Sequence, residues 1–366
     1  MKRGNIAIIV FVLLAAALVL FGRYLISRPP LVITLAVEPL LSDWAAATVD
    51  NFNEQDTIVT SNRRVAVQLT VVDDVDVWTG ETDWSDGLLE TTSRPSIWIP
   101  ALAVSGNYAQ SDSRLMFAQV QPSVAKTVLV WGGFEERVTA LPDSTNGFGW
   151  STVAPAAEVG QWSALGADPT WQFFDLAFLN PTQTTSGLGI LLSGAAAYHE
   201  TDTLNVTQLR DEAFRDWLSP VLTSVPNFST LGNDPAEAIA QRGLSIADAG
   251  LLPESQWVIN ADSITQAHNF VFAYPEIPFV FDFPLLAWDS GNVTVEERAA
   301  TQAFADYVLS ADVQATLANY GLRDANGAFP ESTGNPLGFT PDLDGAIQPP
   351  DRSAVQALLT WYGQIR

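Results

Sequence analysis

From residue 31 onward the chain alternates short apolar runs with stretches whose apolar residues recur at helical spacing. Leu31–Val37 (LVITLAV) is nearly continuous in apolar character, as a buried parallel strand is. Glu38-Pro39-Leu40-Leu41 breaks it, and Ser42 caps a predicted helix whose Ala45, Thr48, Val49 and Phe52 share one face. Arg64–Val72 then alternates strictly at Val65, Val67, Leu69 and Val71, which predicts a second strand. Strand, helix and strand in that order imply a crossover and a parallel sheet. Ligands of such sheets sit beyond the carboxyl ends of the strands, and Glu38 and Ser42 occupy that position. Asp73–Asp86 (DDVDVWTGETDWSD) lacks the register of a calcium loop and reads as a solvated acidic connection.

Ser96–Leu102 (SIWIPAL) is a further predicted strand ending in proline, which places Trp98 and Pro100 near a second strand end. Trp98 is suited equally to stacking on a ligand and to filling the core. Pro181–His199 (PTQTTSGLGILLSGAAAYH) joins a hydroxyl-rich turn to a helical stripe at Leu188, Leu191, Leu192, Ala195 and His199. Ser186 is its expected N-cap, and Gly187 and Gly189 leave the first amides open to close approach. The same pattern fits an ordinary capped helix. Later segments read as a helix candidate at Glu158–Gly166, a helix around Asp211–Leu222, a turn at Gly250–Ser255 and a strand at Gln256–Ile259. Val295–Leu309 is an amphipathic helix behind a Thr294/Glu297 capping box, and Ser310–Tyr320 a second helix stopped by Gly321.

Ahead of this lies Lys2-Arg3 and then an apolar run, Ile6 to Ile26, long enough to span a bilayer. Its one alanine cluster, Ala15–Ala17, sits inside the apolar core where no small-x-small cleavage site belongs, so the run reads as an uncleaved anchor. The 366 residues suffice for two domains of ordinary size. Net charge is −24, and four of the 17 Lys and Arg fall in the first 28 residues, so the remainder sets 13 bases against 41 acids. Such a surface repels nucleic acid and anionic lipid headgroups. The absence of cysteine excludes a lipidated amino terminus, disulfides, zinc–thiolate sites and cysteine nucleophiles.

Several of these segments, in order, resemble the bacterial extracellular solute-binding proteins. Leu179-Asn180-Pro181-Thr182 with Thr185-Ser186-Gly187-Leu188 is similar to a segment that lines the ligand cleft in that family. Ser96–Leu102, Lys126–Trp131 (KTVLVW) and Asn269–Trp288 (NFVFAYPEIPFVFDFPLLAW) resemble its strands at and between the lobes. Phe304 to Arg323 resembles its closing helices, and Glu254-Ser255 stands where a Tyr-Glu-Ser motif is frequent, with Pro253 in place of the aromatic. The tail, Pro349-Pro350 and Val355–Arg366, resembles the stretch that in one subgroup precedes a von Willebrand factor type A domain.

The resemblance implies an α/β fold of the periplasmic-binding-protein type 2 kind: two doubly wound lobes on a hinge, here behind one N-terminal transmembrane helix. The expected division is 1–30 anchor, 31–128 and 282–344 first lobe, 129–281 second lobe, and 345–366 tail. It implies a membrane-anchored, single-pass protein with its soluble part extracytoplasmic, binding a small molecule and serving either a membrane permease or a von Willebrand factor type A partner. The expected ligand residues are Glu38, Ser42, Trp98, Pro100, Thr184, Thr185, Ser186, Gly187, Glu254 and Tyr274, with no cofactor, metal or catalytic residue. The helix amides at Ser186 and Gly187 suit an anionic or carbonyl group, whereas Glu38, Glu254 and the net charge oppose an anion; a neutral polar or zwitterionic ligand is expected.

An enzyme finds little support in the residues. There is no Gly-x-Ser-x-Gly elbow, P-loop or His-Glu-x-x-His, and the two histidines are His199 and His268. About 20 Å of helix would separate Ser186 from His199, too far for a Ser-His pair. A hydrolase using two opposed carboxylates stays open among 41 acids.

Overall fold

The computed structural model describes residues 29–59, 63–86, 93–110, 115–329 and 343–365, with isolated positions at 12, 14–16, 337 and 339. The expected span Ile6–Ile26 lies, but for those few positions, outside the described residues. Among the described residues no helix is long and apolar enough to cross a membrane.

The chain builds a first sheet, leaves it for a second, and returns. β1 (Leu31–Val37) passes through α1 (Ser42–Glu54) to β2 (Val65–Val71), and the two strands pair in parallel with Leu31 opposite Val65 and Val37 opposite Val71. The short helix α2 (Asp74–Thr79), β3 (Ile97–Ile99), α3 (Ser105–Gln110) and β4 (Phe117–Gln121) follow. β5 (Thr127–Phe134) opens the second sheet, and all eight of its residues are buried. Then come α4 (Trp150–Val159), β6 (Leu176–Ala177), α5 (Thr185–His199), α6 (Glu212–Thr223), α7 (Pro235–Arg242), β7 (Ala249–Pro253) and α8 (Glu254–Ile259). β8 (Phe270–Ala273) and β9 (Val280–Phe281) both pair with β5, and β10 (Leu285–Trp288) rejoins the first sheet. The helices α9 (Val295–Val308), α10 (Ala311–Thr316) and α11 (Arg352–Ile365) complete the chain.

Strand order is β2-β1-β3-β10-β4 in the first sheet and β6-β7-β5-β8 in the second. The segments between β4 and β5 and between β9 and β10 cross from sheet to sheet side by side, with the Val124 amide donating to the Phe283 carbonyl at 2.9 Å. Phe283 holds φ at 37°, a left-handed conformation costly for an aromatic residue.

Three sequence expectations are corrected. The strand expected at Gln256–Ile259 is the body of α8, and the strand is Ala249–Pro253, just ahead of it. β7 runs as an inner strand because Gly250 admits its neighbour: a Cβ there would come within 2.8 Å of the Ala177 carbonyl. The helix expected at Glu158–Gly166 is instead α4, which ends at Gly160 with φ at 71°. The capping box of α9 is half formed: Thr294 accepts from the Glu297 amide at 3.0 Å, but the Glu297 carboxylate is ion-paired with buried Arg94 and accepts from Ser96.

The tail is part of the body. Ala354, Val355, Leu358, Leu359 and Tyr362 of α11 are buried at helical spacing. On the first lobe the Tyr108 hydroxyl donates to the Pro350 carbonyl, and Arg352 donates to the carbonyls of Tyr108 and Trp78. On the second lobe Arg215 lies over the Trp361 ring at 5.4 Å, and the Gln348 amide donates to Asp202 at 2.6 Å. α11 thus straps one lobe to the other. We expect Leu358→Ala to lower unfolding free energy by about 2–5 kcal/mol in urea titrations, as for other fully buried leucines. Gln356→Ala on the exposed face should stay within about 0.5 kcal/mol.

Candidate functional site

β1 and β2 end side by side, and acids follow both strands: Glu38 directly after Val37, and Asp73 and Asp74 after Val71 and Val72. α2 begins at Asp74 with Asp73 as its N-cap, accepting from the Val75 amide at 2.9 Å. The stretch read as a solvated loop therefore starts with two buried carboxylates, Asp73 at 6% and Asp74 at 0% exposure. A signal was present in the sequence: both follow a predicted strand, as Glu38 does, and an acidic residue before an apolar turn is a helix cap.

Asp74 is fully engaged. It accepts from the amides of Ala101 and Leu102 and from the Ser105 hydroxyl at 2.5 Å. Its own amide donates to Glu38 Oε2 at 3.3 Å. Burial, then the charges of Asp73 and Asp74, hold the Glu38 carboxyl well above the usual carboxylate range. Burial likewise raises Asp73 to about 6 and Asp74 to about 7.

Asp73 reaches across to the second lobe. Its carboxylate accepts from the Thr185 amide at 3.0 Å and from the Thr185 hydroxyl at 2.8 Å. Thr185 is the first residue of α5, so a first-lobe carboxylate sits on the positive end of a second-lobe helix. The position expected to take an anionic group of a ligand is occupied by the chain itself. The N-cap is Thr184 rather than Ser186, and its hydroxyl takes the Gly187 amide at 3.0 Å. Gly187 faces inward: a Cβ there would meet the backbone of residues 179–181 at 2.5–2.6 Å, so it is needed for packing rather than for ligand approach.

Beside this contact lies a cavity of about 440 Å³ with walls from both lobes. Of the expected residues Glu38, Ser42, Thr184 and Ser186 line it, together with Asp73. The others are elsewhere. Trp98 is fully buried among Trp84 and Phe117, and Pro100 is buried just ahead of the amides that hold Asp74. Glu254 is buried in a two-point ion pair with Arg323 at 2.7 and 2.8 Å and accepts from the Tyr274 hydroxyl, so both serve a joint between chain segments. Asp43, Gln183, Asn233, Asp234, Ser255, Gln256 and Tyr320, absent from the sequence-based set, add to the polar lining. His199 bonds the Gln208 carbonyl at 3.1 Å, and His268 packs edge-on to Phe134; neither lines the cavity.

No family model matches the chain, and no curated protein matches it in sequence. Solved structures do match it in three dimensions. The periplasmic binding protein AfuA from Actinobacillus pleuropneumoniae superposes with a TM-score of 0.58 at 12% identity, covering 91% of this chain and 98% of that one. A putative extracellular solute-binding protein from Bordetella parapertussis gives 0.58 at 14% identity, with coverage of 91% and 98%. The GacH receptor of Streptomyces glaucescens gives 0.56 at 12%, with 93% and 95%. The fold is that of the bacterial solute-binding proteins. At these identities the likeness concerns the fold alone.

The carboxylates give the cleft a pH dependence of definite sign. Glu38, Asp73 and Asp74 all bind protons more tightly in the folded state than in the unfolded chain. The contribution of Asp73 and Asp74 to stability is full below the unfolded value of about 4 and is lost as pH rises through about 6 to 7, and that of Glu38 falls with rising pH in the same sense. Glu38→Gln mimics the protonated side chain. We expect it to raise the Tm at about pH 8 and to flatten the fall in Tm between about pH 5 and pH 8. A profile matching wild type in both respects would remove Glu38 from this account.

Proposed function

We propose that this chain is a non-enzymatic, extracytoplasmic solute-binding protein that holds a small ligand between its two lobes and presents it to a membrane permease. The observation that carries this reading is the cavity of about 440 Å³ lined by Glu38, Ser42 and Asp73 on one lobe and Thr184, Ser186 and Gln256 on the other. That volume is within the range of small-molecule sites. The similar folds of AfuA, solved with fructose-6-phosphate, and GacH, solved with acarbose, support the reading. The test is a thermal-shift screen of the full-length chain in neutral detergent against sugars, peptides, amino acids, metal ions, amines and oxyanions. Val71 lines the cavity and is 47% exposed, so Val71→Trp narrows the cleft at little cost to the core. We expect at least one class to raise the Tm of wild type and to lose that effect in Val71→Trp. No such compound, or a hit indifferent to Val71→Trp, overturns the reading.

The apolar run Ile6–Ile26 is proposed as the membrane anchor of this protein. The full chain should remain in the membrane pellet after an alkaline carbonate wash, with an intact mass that includes the run. Release into the supernatant, or a mature start near residue 29, would contradict the anchor. The alternative partner, a von Willebrand factor type A protein, gains less from the tail: α11 spends its apolar stripe on the chain's own two lobes. Such a partner would have to read the exposed face around Gln356 and Thr360.

A further inference from the structure

The lining of the cleft narrows the chemistry of what it takes. Four carboxylates contribute to it: Glu38 and Asp43 after β1, Asp73 after β2, and Asp234 at the head of α7. No Lys, Arg or His is among the lining residues. Facing them from α8 is Gln256, only 7% exposed. Its Nε2 donates to the Asn233 carbonyl at 3.2 Å, while its Oε1 is buried with no hydrogen-bond partner. A buried acceptor without a donor is unfavourable, and a ligand N–H placed there would offset that cost. Between these polar groups run apolar surfaces from Leu40, Val71, Leu179 and Ile259.

We propose that the cleft binds a small aliphatic amine, with N–H groups donating to Gln256 Oε1 and the surrounding carboxylates and methylenes lying along the apolar walls. This rests on the solute-binding reading of the cleft given above. An anion would meet a lining of acids with no base to receive it. A polyol would satisfy Gln256 but bring no counter-charge. An ammonium group does both, because it carries up to three donors and a positive charge.

A matched four-carbon series tests the idea: putrescine, 1,4-butanediol and succinate, titrated calorimetrically into the full-length chain at about 0.15 M salt, where long-range surface attraction is screened. Putrescine should bind at least about tenfold more tightly than either analogue. Gln256→Leu removes the unpartnered acceptor at the loss of one hydrogen bond, that to the Asn233 carbonyl. Asp234→Asn removes a charge while keeping an acceptor for the Glu237 amide, which Asp234 now holds at 3.1 Å. Each variant should weaken putrescine about tenfold while keeping the cooperative melting transition of the folded chain. Putrescine binding that neither variant changes is association with the acidic surface and overturns the proposal. Equal or tighter binding of butanediol or succinate overturns it too, as does putrescine that fails to bind. In those cases a different compound that binds in a Val71→Trp-sensitive way keeps the solute-binding reading intact, whereas none at all removes both.

Discussion

Asp73 is held between two lobes by four hydrogen bonds to backbone and hydroxyl donors, and the geometry of the cleft follows from it. Its carboxylate caps α2 on the first lobe and takes the leading amide and hydroxyl of α5 on the second. A buried carboxylate without such donors is unfavourable by several kcal/mol, and the helix end would have unpaired amides of its own. Each element satisfies the other only while the lobes are together. In this structure the contact fixes how the two lobes sit against each other.

Around that contact the acids divide by environment. Asp74 is saturated by backbone amides and a serine hydroxyl, whereas Glu38 has two acidic neighbours, and burial holds its carboxyl well above the usual carboxylate range. Asp234 caps α7 at the far wall, and Gln256 contributes the acceptor that the protein itself does not pair. Away from the cleft, three buried acids are matched with bases: Glu254 with Arg323, Glu297 with Arg94 and Asp248 with Arg137. The chain has few bases, and those in buried pairs serve architecture. The cleft is therefore left with acids alone.

Two devices tie the lobes besides Asp73. The two crossings run side by side at Val124 and Phe283, and α11 straps both lobes from outside. The strap is built from an amphipathic helix whose buried stripe needs partners on both sides, so the tail belongs to the folded body.

The alternation at Val65–Val71, the apolar run at Leu31–Val37 and the helical spacing after Val295 were sufficient to place the first sheet's parallel pair and its closing helix, because burial on one face imposes period on sequence. The same local logic put Glu38 and Ser42 at a strand end and Thr184 and Ser186 at a helix start, and those four line the cavity. Residues whose role depends on a distant partner were not legible. Glu254 looked available until Arg323, far along the chain, closed on it, and Trp98 fitted a ligand as well as a core until Trp84 and Phe117 surrounded it. Asp73 looked like one more surface acid in an acidic loop. What it is was decided by Thr185, more than a hundred residues away, because a carboxylate's desolvation and its donors are properties of the folded neighbourhood and leave no periodic trace in the chain.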